Sequence, residues 1–327
     1  MQYAQLGSTG LKVSRLCVGC MSFGGHDAEG FEWTIGYDDS KRVIDRATDL
    51  GINFFDTADV YSHGKSEEIV GRALEGRRND FVIATKVGLP TGEGPGDRGL
   101  GEDHVRRNLR KSLANLRTDR VDLYQIHRWD YGTPIERVLT TLTDAVRKDG
   151  FADHIGGSSM WAWQFMQALK TSDRMGLERF VSMQNHYNLA YREEEREMIP
   201  LCMSEGVAIS PWSPLARGFL SGKYRRGARP ESIRYEKDSI LAARYFKPED
   251  FDVVERLEEV ATEKGVRPSQ LALAWLLAKP GITSPVVGPT TVAQLEELVS
   301  ALDINITADD VKRLEEPYRP HPVMGHQ

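Results

Sequence analysis

The sequence predicts an α/β fold, a single (β/α)8 barrel of parallel strands that spans all 327 residues. Three observations support this prediction. Eight short apolar runs alternate with longer segments of helical periodicity, and several of these runs end in residues that carry chemistry. Chains of this length also commonly form one barrel domain. Eight strands, each followed by a helix, favour a closed barrel over an open sheet.

The elements follow from the apolar runs and from the Gly and Pro residues between them. Residues 1–15 are predicted to form a separate hairpin that turns at 7–10 and plugs the N-terminal end of the barrel. The barrel strands are predicted at 16–23, 53–57, 81–87, 121–127, 154–159, 180–185, 207–212 and 284–288. The helices are predicted at 39–50, 66–76, 102–116, 134–149, 161–172, 192–205, 250–279 and 291–301.

Three helical segments carry further signals. Gly265 and Pro268 are expected to divide 250–279 into two helices. A last helix is predicted at 303–317, with Thr307 as its cap and acidic residues in its first turn. The glutamate-rich run at 193–197 is expected to form a solvated helix face.

Composition and charge exclude several classes of function. The net charge of −6 argues against nucleic-acid binding. No apolar stretch reaches the ~18 residues of a membrane span, and no basic leader precedes an apolar core. Cys17 and Cys20 have metal-like spacing, but only Cys202 remains elsewhere, so we expect neither a metal site nor a disulfide framework. The sequence therefore favours a cytoplasmic protein.

Three successive predicted strands end in Asp56, Lys86 and His127, and Tyr61 follows the first of them. Because the carboxyl ends of all strands in a parallel barrel face the same rim, these side chains can meet in one site. A phenol beside an ammonium group, with a carboxylate and an imidazole nearby, is suited to delivering a proton. The long segments 88–101 and 213–249 would border the same rim, where long loops are usually functional.

These motifs resemble the aldo-keto reductases. The resemblance is carried by Asp56-x4-Tyr61, Ala-Thr-Lys86, Asp-Leu-Tyr-Gln-Ile-His127 and Ser-Pro-Trp-Ser-Pro-Leu-Ala-Arg-Gly, which occur in order and at the family's spacing over nearly the whole chain. Within the family, the sequence resembles the bacterial reductases and the potassium-channel β-subunits more than the short mammalian aldose reductases. The resemblance implies that NADPH reduces an aldehyde or ketone, a small-molecule substrate. Tyr61 would be the general acid, with its pKa lowered by Lys86. Asp56 would hold Lys86 charged, and His127 would orient the carbonyl.

The resemblance also implies a cofactor site without a Rossmann fingerprint, since the glycines at 92–96 lack the required βαβ unit. Ser158, Ser159, Gln184 and Asn185 would bind the nicotinamide carboxamide, and Trp212 would stack on its ring. The 2′-phosphate would be held by Lys223 and Arg234, a pattern that favours NADPH over NADH. The remaining cofactor candidates, from strand 1 to the last barrel helix, are Met21, Ser213, Leu215, Arg217, Gly218, Gly288, Thr290, Gln294 and Glu297.

Two residues depart from the family pattern, and three tryptophans have roles that the sequence leaves open. Leu298 stands where the family usually has Asn, and Ser159 stands where many members have Asn or Arg. Trp33, Trp129 and Trp161 follow strands or lie in rim loops, so they could line the substrate pocket or pack in the core.

Two alternatives remain open at this point. Lys86 could form a Schiff base in an aldolase or isomerase on the same barrel. The chain could instead be a regulatory module that binds NADPH with little turnover, as channel β-subunits do. The sequence leaves the oligomeric state open, and an oligomer is compatible with the reductase as well as with these alternatives.

Overall fold

The computed structural model describes residues 1–25, 30–227, 236 and 239–326, which contain one antiparallel hairpin and one eight-stranded parallel sheet. The hairpin pairs β1 (Tyr3–Gln5) with β2 (Lys12–Ser14). The parallel strands are β3 (Cys17–Gly19), β4 (Phe54–Asp56), β5 (Val82–Val87), β6 (Val121–Ile126), β7 (Ala152–Ser158), β8 (Phe180–Gln184), β9 (Ala208–Ile209) and β10 (Val286–Val287).

The parallel sheet curls and closes on itself. Its strands follow each other in the order β10, then β3 to β9. Closure occurs through parallel bridges from Ile209 to Ile282 and from Trp212 to Val286. β9 and β10 are shorter than predicted because Pro211 and Pro285 have no N–H to donate to the ladder. The predicted (β/α)8 barrel is confirmed.

Helices surround the barrel close to the predicted positions. They are α1 (Tyr37–Asp49), α2 (Lys65–Ala73), α3 (Glu102–Leu116), α4 (Ile135–Arg147), α5 (Ala162–Met175), α6 (Met198–Ser204), α7 (Ser239–Arg244), α8 (Pro248–Lys264), α9 (Pro268–Ala278), α10 (Val292–Val299) and α11 (Ala308–Glu315). Gly265 ends α8 with a φ of +65°, and Pro268 begins α9, so the predicted division is confirmed. Thr307 caps α11 as expected, because its hydroxyl accepts from the Asp310 N–H at 3.1 Å.

The hairpin closes the N-terminal end of the barrel, as predicted. Leu6 and Val13 pack with Phe54, Val82 and Leu123 in an apolar cluster inside that end. The larger apolar core lies between the strands and the surrounding helices. Among the described residues, no helix is both long enough and apolar enough to cross a membrane.

The glutamate-rich run does not form the expected solvated helix face. Glu193–Glu195 is a separate 3-10 turn before α6, and Glu193 and Glu194 are buried. The Tyr318 hydroxyl donates to Glu193 at 2.6 Å, and the backbone N–H of His321 donates to it at 2.9 Å. Glu193 therefore anchors the C-terminal segment, and neither buried carboxylate forms the expected solvated face.

The C-terminal segment after α11 crosses to the rim of the barrel where the carboxyl ends of the parallel strands lie. The Met324 N–H donates to the Tyr191 hydroxyl at 2.9 Å. Gly325 lies against the Trp212 ring, and the His326 ring stacks on Trp161 with centroids 4.7 Å apart. The end of the described chain is therefore part of the rim.

Candidate active site

The ends of β4 and β5 bring Asp56 and Lys86 together in a fully buried ion pair. Lys86 Nζ lies 2.5 Å from Asp56 Oδ2 and also donates to the Thr57 carbonyl at 2.8 Å. The other Asp56 oxygen accepts from the amides of Gln125, at 3.1 Å, and Gln184, at 2.8 Å. A buried charge pair is tolerated when its remaining hydrogen-bonding capacity is satisfied, and both carboxylate oxygens are bonded here.

Tyr61 and His127 complete the predicted group of four. Tyr61 begins a short turn after β4, in which Ser62 and His63 have positive φ values of 46° and 56°. Positive φ values are uncommon for non-glycine residues, and here they mark a tight turn directly after Tyr61. Lys86 Nζ donates to the Tyr61 hydroxyl at 3.3 Å. The rings of Tyr61 and His127 make an edge-to-face contact, with their centroids 5.8 Å apart. The structure thus brings all four residues together.

The environment sets the protonation state of each group. Burial raises the pKa of Tyr61 above its ordinary value; Lys86 lowers it, as expected, but the effect of burial is larger. Burial has the largest effect on Lys86 and would lower its pKa, but the charges and hydrogen bonds of Asp56 and Tyr61 together outweigh burial and raise the pKa. Burial, followed by the charges of Arg128 and Lys86, holds the pKa of His127 well below its usual range. At neutral pH the site therefore contains a protonated phenol, an ammonium and a neutral imidazole.

One cavity of about 850 Å³ joins this group to most of the predicted cofactor residues. Its volume lies within the range of cofactor and drug-sized ligand pockets. The predicted residues that line it, besides Asp56, Tyr61 and His127, are Met21, Trp33, Ser158, Gln184, Trp212, Ser213, Leu215, Arg217, Gly218, Lys223, Gly288, Thr290, Gln294 and Glu297.

Four of the predicted cofactor and substrate residues do not line this cavity: Ser159, Asn185, Trp129 and Trp161. Ser159 is buried behind the cavity wall, where its hydroxyl accepts from Trp212 Nε1 at 2.8 Å, so it supports Trp212. Trp129 packs against Trp163, with ring centroids 6.5 Å apart, and against the core. Arg234 lies outside the described residues.

Trp212 is held in place by a stack of aromatic rings. His186 lies parallel to it with centroids 4.1 Å apart, and Tyr191 stacks on His186 at 4.2 Å. The Arg244 guanidinium carbon is 4.9 Å from the Trp212 centroid. These contacts restrain an indole that borders the cavity.

The far end of the cavity is formed by the start of α10 and its neighbours. Thr291 caps the helix by accepting from the Gln294 N–H, and the Gln294 side chain accepts from the Thr290 N–H at 2.8 Å. Glu297 binds the hydroxyl of Ser269 and, at 3.0 Å, the guanidinium of Arg267. Hydroxyls, a helix N-terminus and cations here suit the phosphate and adenosine part of a dinucleotide.

Sequence reasoning missed several residues of the site. Gln125 lies within β6 and gives no signal before the barrel is built. Arg128 directly follows His127, so the rule that found the strand-end residues could also have found it. Arg244 and Arg267 lie far along the chain and reach the cavity only through tertiary packing.

Comparisons with known proteins agree with the fold. Residues 15–319 match the model of the aldo/keto reductase family. Versiconal hemiacetal acetate reductase of Aspergillus parasiticus is 40% identical, over 99% of this chain and 98% of its own. A probable voltage-gated potassium channel subunit beta of Arabidopsis thaliana is 36% identical, over 93% of this chain and 92% of its own. The Bacillus subtilis oxidoreductase YrpG is also 36% identical, over 97% and 95%. The chain therefore belongs to the aldo/keto reductase family, whose members generally reduce carbonyl compounds with a nicotinamide cofactor.

Proposed function

We propose that this protein uses NADPH to reduce an aldehyde or ketone to an alcohol, with Tyr61 as the general acid. The observation that carries the proposal is the hydrogen bond from buried Lys86 to the Tyr61 hydroxyl, beside a neutral His127 and on the wall of a cofactor-sized cavity. A bound nicotinamide would supply the hydride, and the residues described below would bind, orient and protonate.

The residues along the cavity fit a phosphorylated dinucleotide. Arg217 and Lys223 provide positive charge on the cavity wall, and Arg267 provides it near α10. Trp212 offers a restrained aromatic surface for a flat ring. Lys223 and, from the sequence, Arg234 are our candidates for the 2′-phosphate, which is the group that distinguishes NADPH from NADH.

The four central residues divide the work of protonation. The phenol of Tyr61 is protonated at neutral pH and can donate to a developing alkoxide. Lys86 then stabilises the phenolate that remains, from a position fixed by Asp56 and the Thr57 carbonyl. His127 is neutral, so it can hydrogen-bond and orient a carbonyl without adding a charge.

The Schiff-base alternative conflicts with the environment of Lys86. A nucleophilic amine must be neutral, and Asp56 raises the pKa of Lys86 instead. Its nitrogen is also occupied by Asp56, Thr57 and Tyr61. The similarity to a potassium channel subunit beta favours the regulatory alternative. The presence of all four residues, Asp56, Tyr61, Lys86 and His127, favours catalytic turnover instead.

Tyr61→Phe tests the proposal, because it removes the hydroxyl and keeps the ring. Single-turnover loss of NADPH absorbance, with a panel of aldehydes and ketones, should slow by about 10²–10⁴-fold. Tyr131→Phe is the matched control, since Tyr131 is 70% exposed and outside the cavity. NADPH binding should survive in both variants.

Two results would contradict the proposal. If Tyr61→Phe reduced its substrate at the wild-type rate, with hydride transfer limiting, Tyr61 would not be the acid. If borohydride trapped a carbonyl compound on Lys86, the aldolase alternative would be favoured.

A further inference from the structure

Arg128 is a cation on the cavity wall that the reduction of a simple aldehyde does not require. It follows His127 at the end of β6, is half-buried, and lines the same cavity as Tyr61 and Trp212. Its hydrogen bond within the described residues is from Nη1 to the backbone carbonyl of His127, at 2.5 Å. No carboxylate among the described residues forms an ion pair with it.

The surroundings of Arg128 make this charge unfavourable in the absence of an anion. Burial lowers the pKa of Arg128 to about 10, and the charge of Arg244 acts in the same direction. A partly desolvated guanidinium loses hydration that only an anionic partner or good acceptors can replace. In most proteins a largely buried guanidinium is paired with an anion. We therefore expect the anionic partner of Arg128 to come from outside the described residues.

The position of Arg128 points to the substrate rather than to the far arm of the cofactor. Tyr61 is close enough for its charge state to act on the guanidinium. The guanidinium carbon lies 6.0 Å from the ring centroid of Trp212, where Arg244 approaches to 4.9 Å. Two cations thus approach the Trp212 ring, and Arg128 also lies near Tyr61. The end of the cavity formed by Ser269, Gln294 and Glu297 has Arg267 instead.

We propose that the preferred substrate is an aldehyde or ketone that also carries a carboxylate, and that Arg128 binds this carboxylate. The inference rests on the proposed reductase function and deepens it by naming the substrate class. A planar guanidinium can hold a carboxylate through two parallel hydrogen bonds, which fixes orientation as well as position. Arg244 adds positive potential, which attracts an anionic substrate into the cavity.

The test compares two substrates that differ only in charge, para-carboxybenzaldehyde and its methyl ester, in the full-length protein with NADPH. The wild type should prefer the acid in kcat/KM by about 10-fold or more, the scale of one charge-assisted hydrogen bond. Arg128→Met keeps an unbranched apolar side chain but removes the charge. It should therefore abolish this preference, chiefly by raising KM for the acid. Arg128→Lys should restore part of it. Arg110→Met, on the exposed face of α3, is the control and should keep the wild-type ratio.

The outcomes separate this inference from the proposed function. If the wild type reduces both compounds equally well, or if Arg128→Met keeps the preference for the acid, the inference is overturned and the reductase function stands. If neither compound oxidises NADPH, the reductase function fails for this class of carbonyl. Calorimetric titration of terephthalate into the NADPH complex then decides the inference alone. Affinity at least about 10-fold weaker in Arg128→Met supports it, and equal affinity overturns it.

Discussion

Replacing Lys86 with methionine should both destabilise the fold and abolish catalysis. The two effects have different causes, and a second substitution at Asp56 can separate them. Lys86→Met leaves the Asp56 carboxylate buried without its counter-ion. Breaking a buried ion pair by removing one partner typically costs about 3–5 kcal/mol of unfolding free energy. The amides of Gln125 and Gln184 still donate to Asp56, so we expect a loss near the lower end, about 3 kcal/mol.

The double variant Asp56→Asn/Lys86→Met removes the unpaired charge. It should therefore recover most of the lost stability in urea unfolding followed by far-UV circular dichroism. It should not recover activity, because Tyr61 would still lack the ammonium that stabilises its phenolate. Lys65→Met is the control for losing a lysine ion pair at the surface: Lys65 and Glu68 are about half exposed, and such pairs contribute about 0–1 kcal/mol.

Either of two results would refute this reasoning. Wild-type stability in Lys86→Met would mean that the pair does not hold the ends of β4 and β5. A double variant as unstable as Lys86→Met would mean that lost packing, rather than unpaired charge, causes the destabilisation.

Two further predictions concern the cofactor and a buried acid. Lys223→Ala should weaken NADPH binding by about 1–3 kcal/mol and barely change NADH binding; fluorescence titration measures both, and equal losses would remove Lys223 from the 2′-phosphate site. Burial, followed by the charge of Glu67, raises the pKa of Asp59 to about 8. The unfolded chain therefore loses this proton from about pH 4 upward, and the folded chain only near pH 8, so stability falls as the pH rises between these values. Asp59→Asn should remove that loss, so its free energy of unfolding should exceed that of wild type by about 1–3 kcal/mol at pH 8 and by less at pH 5. Urea unfolding at both pH values measures the gain. An equal gain at both would contradict the raised pKa of Asp59.

The barrel and the central residues were predictable because they depend on local pattern and one topological rule. Short apolar runs mark the strands, and parallel strands deliver Asp56, Lys86 and His127 to one rim whatever the loops do. The division at Gly265 was predictable for a similar reason, since a left-handed helix end and a following proline act locally.

The features that were not predicted depend on contacts between distant parts of the chain. Glu193 and Glu194 look like a solvated run in sequence, and only the return of Tyr318 and His321 makes them buried. The net rise in the pKa of Tyr61 could not be predicted either, because the depth of burial around a phenol is set by the completed fold.

The path of the C-terminal segment has a practical consequence for producing the protein. Residues fused after Gln327 would extend from a point next to His326, which stacks on Trp161, and close to Gly325 beside Trp212. A purification tag at that end would therefore lie near the candidate active-site cavity, and we expect it to alter kinetic constants. A tag on the N-terminal hairpin would extend from the opposite end of the barrel, where Tyr3 is already 52% exposed, and is the better choice for kinetic work.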